Sequence, residues 1–431
     1  MKNIFAQNHH KGLYLLFCVE MWERFSYYGM RALLVLYMIQ ELLFSAQKAG
    51  NIYGLYTGLV YLTPLAGGYL ADRYFGQRKC ITAGAVLMSL GLFLLAFGSN
   101  NLFLIALFLM ILANGCFKSN ISSVLGLLYK NEDEKKDSAF TIFYMGINFG
   151  AFFSPLVCGT LAVKYGFKCG FASAGIGMLI GLIIYKIYEN KLLGEYGLKP
   201  INLEHNKKNV YNSDLTIEEK NKFTALVILM LFTIPFWICF EQAGSSLTLF
   251  AQYATNRIFM GREIPTGYFQ SLNPLLIILL APVMSSLWEF LRKFSKEPTS
   301  VEKFTISLFL MAFAYCIMAY AGFIAQNSLV SPLWLLSAYF IMTIAELCLS
   351  PIGLSLVSKL APQKFLSLSM ASWFLTSFFG NMIAGFWGGK YESVSHIRIF
   401  GSLAIFALCT GFLLLLLAPY LNKKLKNSMI K

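Results

Sequence analysis

Twelve long apolar runs constrain this chain more than any other feature. A helix that crosses a bilayer needs about 20 predominantly apolar residues. Runs of that kind cover 12–40, 50–71, 80–99, 102–129, 137–164, 169–188, 222–253, 266–290, 302–326, 331–360, 365–391 and 397–421. Of the 431 residues 57% are hydrophobic and 13% charged, whereas a soluble domain carries roughly 25% charged residues. That leaves too little polar surface to coat a water-soluble globule, which excludes a soluble enzyme and a disordered chain. The expected fold is an all-α membrane protein with twelve transmembrane helices. Met1-Lys2-Asn3 opens the chain without the short apolar stretch and cleavage site of a signal peptide, so the first run is expected to stay as a spanning helix. Nine cysteines lie scattered through apolar segments with no CxxC pair, so neither disulfides nor a metal site is expected.

One gap, 189–221, is long, polar and lysine-rich, and it divides the runs into six and six. The expected organisation is an N-terminal six-helix bundle, 1–188, a cytoplasmic linker, 189–221, and a C-terminal six-helix bundle, 222–431, with a short basic tail. Two six-helix halves joined in this way match the layout of the major facilitator superfamily. Pro64 to Lys79 and Pro282 to Lys296 follow the second and eighth runs and both end in basic clusters, an echo between the halves. The gap is too short for a further helix pair, so twelve spans are expected rather than fourteen.

The net charge of +14 tests the topology. With both termini cytoplasmic, 25 of the 35 Lys and Arg fall in inside segments and 7 in outside segments. That asymmetry satisfies the positive-inside rule, and the reverse orientation would break it. The basic excess is therefore read as topology and not as a nucleic-acid surface.

The remaining bases, Arg24, Arg31 and Lys118, lie within the runs, as do four acids, Glu20, Glu23, Glu241 and Glu346. Each charge at a helix centre costs roughly 2.5–3.5 kcal/mol, so seven unpaired would cost on the order of 20 kcal/mol. Such a cost implies pairing around a polar cavity. Four negatives against three positives leave one carboxyl without a basic partner, which suits a group that carries a proton or binds a cation. The first run concentrates the signal: Glu20, Glu23, Arg24, Tyr27, Tyr28 and Arg31 follow a helical period and share one face. Two carboxylates beside one guanidinium cannot both be fully compensated, which makes Glu20 and Glu23 candidate proton carriers. The four histidines lie in tails or loops, so a histidine relay is not expected.

The segment Glu20-Met21-Trp22-Glu23-Arg24-Phe25-Ser26-Tyr27-Tyr28-Gly29 matches the ExxERFxYYG motif of the proton-dependent oligopeptide transporter (POT/PTR2) family in every fixed position. Gly67-Gly68-Tyr69-Leu70-Ala71-Asp72-Arg73, continuing to Gly76, Arg78 and Lys79, is shared more broadly across the superfamily. Phe143-Tyr144-Met145-Gly146-Ile147-Asn148-Phe149-Gly150 resembles the family's FYxxINxG motif. Further likeness lies in Phe236-Trp237 with Glu241-Gln242, in Gln270 to Pro274, in Glu346 to Ser355 and in Met370 with Trp373. The resemblance covers nearly the whole chain. One departure is Ser119, which follows Lys118 where the family usually has proline.

The resemblance implies a proton-coupled symporter for di- and tripeptides. It assigns proton coupling to Glu20, Glu23, Arg24, Lys118 and Glu241, and a gate to Arg31 with Glu241. It maps amine binding to Asn148, Asn273 and Glu346, and the peptide pocket to Tyr27, Tyr28, Tyr61, Trp237, Trp373 and Ser377. Asp72 with Arg73 and Arg78 suits a cytoplasmic conformational latch. A dipeptide zwitterion agrees with this charge set: Arg31 and Lys118 of the N-terminal half suit its carboxylate, while Glu346 and Asn273 of the C-terminal half suit its ammonium. Tyrosine and tryptophan, apolar with polar tips, suit varied peptide side chains. Tyr27 and Tyr28 also suit plain packing, and Asn273 beside Pro274 also suits relief of a kinked backbone. Asn131 to Asp137 reads as a solvated loop ending in a helix cap.

Protons are the expected coupling ion, with no other cofactor. The expected partners are di- and tripeptides and the lipid bilayer. A monomer suffices mechanistically, and the expected location is a bacterial inner membrane. Rival readings keep the fold but carry an amino acid or a peptide-like drug, or bind peptides as a sensor without transport. Nitrate is disfavoured because it has no amine for Glu346. No G-x-S-x-G, H-E-x-x-H or P-loop pattern supports an enzyme or an ATP-driven pump.

Overall fold

The computed structural model describes residues 9–130, 133–200, 216–362 and 366–426. It is built almost entirely of helices: α1 (Lys11–Gln40), α2 (Ala46–Leu70), α3 (Gln77–Phe97), α4 (Phe103–Leu128), α5 (Asp133–Tyr165), α6 (Phe167–Leu193), α7 (Ile217–Phe240), α8 (Ser246–Tyr253), α9 (Leu272–Lys293), α10 (Ser300–Ile324), α11 (Leu333–Leu360), α12 (Leu366–Gly388) and α13 (His396–Lys426). A two-stranded hairpin, β1 (Ile258–Phe259) and β2 (Arg262–Glu263), links α8 to the helical turn before α9. Among the described residues, nine helical segments are long and apolar enough to cross a membrane. The chain is thus a multi-pass, all-helical membrane protein. Helices α1, α2 and α12 are not among the nine: α1 carries Glu20, Glu23, Arg24 and Arg31, whereas α2 and α12 are diluted by glycine, tyrosine, serine and tryptophan.

Several boundaries differ from the sequence expectation. Helix α5 begins at Asp133, so Asp133–Asp137 form its first turn and not a loop. Acidic residues there favour the positive end of the helix dipole. Helix α6 continues to Leu193, into the expected linker, and much of that linker (201–215) lies outside the described residues. The seventh run is interrupted: α7 stops at Phe240, a tight 3₁₀ turn covers Glu241–Gly244, and α8 resumes. Gly244 in this turn gives Tyr53 its space: an added Cβ would stand 1.6 Å from Tyr53 Oη.

The chain forms two compact units. One comprises Met1–Leu42 with Leu59–His205, the other Leu43–Gly58 with Asn206–Lys431. In the first, α1 packs on α5 and α6, and α3 packs on α4 and α6. Small residues let the backbones approach: a Cβ on Gly150 would stand 2.2 Å from Met21 O, and one on Gly67 only 1.8 Å from Gly115 O. A short π-helical turn, Ala71–Phe75, ends at Gly76 (φ +79°), whose hydrogen faces Leu198 O. In the second unit α10 packs on α11 and α13, α12 on α7, and α9 on α11. Capping boxes, Thr216 with Glu219 and Thr299 with Glu302, start α7 and α10.

The first half of α2 belongs to the second unit, where it packs on α12. A Cβ on Gly54 would lie 2.7 Å from Asn381 O, and one on Gly385 2.3 Å from Gly50 O. The second half of the same helix belongs to the first unit.

Candidate functional site

In the first unit the ionisable face of α1 is buried. Glu20, Glu23, Arg24 and Arg31 expose 2%, 0%, 4% and 8% of their surface. Arg24 Nε donates to Glu20 Oε1 at 2.8 Å and lies 2.6 Å from Glu23 Oε2. One guanidinium nitrogen thus serves two carboxylates. Among the described residues neither Glu23 oxygen accepts a hydrogen bond, and neither Glu20 Oε2 nor Arg24 Nη2 finds a partner. Lys118 of α4 is within electrostatic reach of Glu23. The three membrane-depth bases each lie over a tyrosine ring: Arg24 over Tyr27 and Arg31 over Tyr28, both at 5.9 Å from the centroid, and Lys118 over Tyr61 at 4.2 Å. Asn148 is buried on α5, with its amide donating to Tyr144 O at 3.0 Å. Gly146 and Gly150 of the same motif let α5 meet α1 beside Arg24.

The second unit holds a differently constructed site. Asn273 Nδ2 donates to Glu346 Oε2 at 2.8 Å and to Thr343 Oγ1 at 3.2 Å. The Thr343 hydroxyl in turn donates to Tyr339 O at 2.7 Å. Pro274 lies in the first turn of α9, where a missing N–H costs nothing. Asn273 is therefore aimed at Glu346 and is not relieving a kink. An apolar cluster of Ile277, Met284, Leu347 and Cys348 fixes α9 against α11 beneath this pair. Glu346 makes no ion pair among the described residues, and its charged neighbour is another acid, Glu241. Glu241 is 2% exposed, in the 3₁₀ turn after α7. Gln242 anchors that turn by donating to Ala384 O at 3.0 Å and accepting from Ser246 Oγ at 2.6 Å.

The aromatic candidates of this unit are also buried or partly so. The Trp237 indole N–H is buried and finds no acceptor among the described residues. Trp373 is 7% exposed, and its ring fills the space that a Cβ on Gly353 would take, 1.9 Å away. Ser377 is buried, and its carbonyl accepts from Asn381 Nδ2 at 2.9 Å. Among the described residues no group of three or more His, Cys, Asp or Glu could hold a metal ion.

Asp72, Arg73 and Arg78 each meet a different neighbour. Asp72 Oδ1 accepts from Gln77 Nε2 at 2.7 Å, and Arg73 Nη1 donates to Tyr69 Oη at 2.6 Å. Arg78 instead turns to the end of α6, pairing with Glu189 at 3.2 Å and donating to Asn190 Oδ1 and Gly194 O. Glu189 was not expected, because its acid sits in a lysine-rich stretch that reads as linker. Thr343 was also missed, although it stands one turn before Glu346 on the same face, a spacing that could have found it.

Charged clusters at membrane depth within apolar helices, in both units, are the mark of a membrane transporter rather than of a structural bundle. A model of the POT family matches residues 78–191 and 194–398. The chain belongs to the POT family. It is 35% identical to the peptide transporter YePEPT of Yersinia enterocolitica, covering 94% of this chain and 93% of that one. It is 32% identical to a di-/tripeptide transporter of Lactococcus lactis, with 96% of each chain covered. A crystal structure of a peptide transporter POT in complex with sulfate superimposes with a TM-score of 0.90 at 34% identity, over 96% of each chain. A POT family transporter in complex with 5-aminolevulinic acid gives 0.89 at 30% identity, over 96% of this chain and 97% of that one.

Proposed function

We propose that this chain is a proton-coupled symporter that imports di- and tripeptides by alternating access. The observation that carries the reading is the Asn273–Glu346 pair: a carboxylate at membrane depth held by a neutral amide at 2.8 Å, with no cation against it among the described residues. An acid so placed is costly unless it is protonated or a cationic group arrives, and a peptide ammonium is such a group. The relatives named as peptide transporters support this assignment along the whole length. A POT structure in complex with alafosfalin, at 34% identity, supports a peptide-like ligand.

In this reading Glu346, Asn273 and Asn148 receive the peptide ammonium, and Arg31 and Lys118 its carboxylate. Tyr27, Tyr28, Tyr61, Trp237, Trp373 and Ser377 line the pocket. The orphan indole N–H of Trp237 offers a donor to a peptide carbonyl. Glu20, Glu23, Arg24, Lys118 and Glu241 couple the proton: protonation of a carboxyl releases its basic partner and permits the inward switch. Arg31 and Glu241 form a gate, and Asp72 and Arg73 act in a second, cytoplasmic one. The same reading takes twelve spanning helices in two six-helix bundles (1–188 and 222–431, with a 189–221 linker), both termini cytoplasmic. It places a monomer in a bacterial inner membrane and needs no cofactor beyond the proton.

Reconstituted protein and labelled dialanine test it. Counterflow without a gradient, and accumulation when the outside is acidic, are both expected. Glu241→Gln is expected to abolish accumulation; full accumulation by that variant defeats the coupling assignment. Tight peptide binding without any uptake would favour a sensor.

A further inference from the structure

Lys118 lies over the ring of Tyr61 at 4.2 Å, and the two residues come from different helices, α4 and α2. Their contact therefore depends on the register between those helices, not on local spacing. Hydrogen bonds pin that register. Thr63 Oγ1 donates to Ile111 O at 3.0 Å, Asn120 Nδ2 to Gly67 O at 3.3 Å, and Ser119 Oγ to Pro64 O at 3.2 Å. Ser119 is adjacent to Lys118, and its acceptor Pro64 lies one turn beyond Tyr61. Gly68 faces Ser119 across this contact: a Cβ there would stand in ordinary contact, 3.4 Å from Ser119 Oγ.

Serines inside helices usually return their hydroxyl to the carbonyl four residues back. The neighbours do so: Ser122 donates to Lys118 O and Ser123 to Ser119 O. Ser119 alone of the three reaches across to another helix. An ammonium at membrane depth needs a favourable partner, and a tyrosine face supplies one that does not titrate with the carboxylates. Moving Lys118 off that face would also change its influence on Glu23, with which it interacts electrostatically.

We infer that Ser119 is a positioning residue for proton coupling: its hydroxyl locks α2 to α4 so that Lys118 stays over Tyr61. The inference rests on the proton-coupled peptide transport proposed above. The test is a double-mutant cycle on gradient-driven dialanine accumulation in proteoliposomes. Ser119→Ala is expected to slow accumulation about three- to tenfold, the worth of one hydrogen bond, and Ser119→Thr to restore it to within about twofold. Tyr61→Leu carrying Ser119→Ala is expected to be no slower than Tyr61→Leu alone, because Ser119 acts through that contact. Losses that multiply in the double variant overturn the inference, as does Ala matching wild type or Thr matching Ala. Should Ser119→Ala give no monodisperse protein, Ser119→Val against its isostere Ser119→Thr asks the same question. Wild type that neither accumulates nor exchanges dialanine breaks the peptide reading itself; wild type that transports while the cycle is additive breaks only this inference.

Discussion

The α1 cluster and the α9–α11 cluster both bury acids, yet they are solved in opposite ways. On α1, Glu20 and Glu23 share one nitrogen of Arg24. Between α9 and α11, Glu346 accepts from the neutral Asn273 amide, which Thr343 also engages, and its charged neighbour is another acid, Glu241. The first arrangement sets two carboxylates against one guanidinium and is short of hydrogen bonds. The second has a neutral amide donor and, among the described residues, no cation against the carboxyl. In the proposed reading, the first serves the driving ion and the second the cargo.

Arg24→Gln should cause the largest change. It leaves two buried carboxylates without compensation, and removing one partner of a buried pair typically costs about 3–5 kcal/mol. A steep drop in detergent unfolding temperature and loss of gradient-driven uptake are expected together. An unfolding temperature like that of wild type would mean that the α1 carboxyls are already neutral and that the two clusters are less different than their geometry suggests.

Glu346→Gln should act on the cargo and spare the fold, since a Gln oxygen can still accept from Asn273. Loss of a charge-assisted bond to an ammonium is worth roughly 1.5–3 kcal/mol, so peptide affinity should fall about 10- to 100-fold. The sharper measurement compares dialanine with its N-acetylated form. Wild type should discriminate strongly and the variant weakly; unchanged discrimination would move amine recognition elsewhere. Thr343→Ala removes only the second acceptor of the Asn273 amide. A loss of about three- to tenfold in affinity is expected, with the preference for a free amine retained.

The pattern of what could be read in the sequence follows from the same physics. Burial of Glu20, Glu23 and Arg24 was legible because charge within an apolar run must be paired, and the helical period puts these three on one face. The membrane class was legible from run length. A hydropathy criterion alone, however, passes over α1, α2 and α12, because ionisable residues, glycine and tyrosine lower their apolarity. Those are the helices that carry the α1 cluster and the close α2–α12 packing. Less legible was anything set by another helix. The space for Tyr53 depends on Gly244, the room for Trp373 on Gly353, and the fate of Arg78 on Glu189. Arg78 shows why: proximity in a motif does not say which side chain a long arginine will reach.

A third cluster of charges serves as the control for both sites. In the turn after α9, Glu297 accepts from Arg292 Nε at 2.6 Å and from Lys303 Nζ at 2.8 Å. The hydrogen bond from Arg292, with that from Lys303, holds its carboxyl down at about 2. Because this value is below the ordinary one, the stabilisation is fully present above the unfolded-state value of about 4.5 and is lost as pH falls toward 2. Across the range in which a transporter of this kind would be assayed, about pH 5 to 8, the contribution is flat. Arg292 is largely exposed and Glu297 partly so, so water screens that pair, while the buried Lys303 keeps the Trp288 face 4.5 Å from its ammonium when Glu297 is neutralised. Glu297→Gln should therefore shift the unfolding temperature by about 1 °C or less, equally at pH 5 and pH 8, with peptide uptake preserved. It has two cationic partners where the α1 acids share one, yet far less should depend on it. If Glu297→Gln destabilises the protein as much as Arg24→Gln, then membrane depth is not what gives the α1 charges their weight, and the contrast between the two buried clusters loses its physical basis.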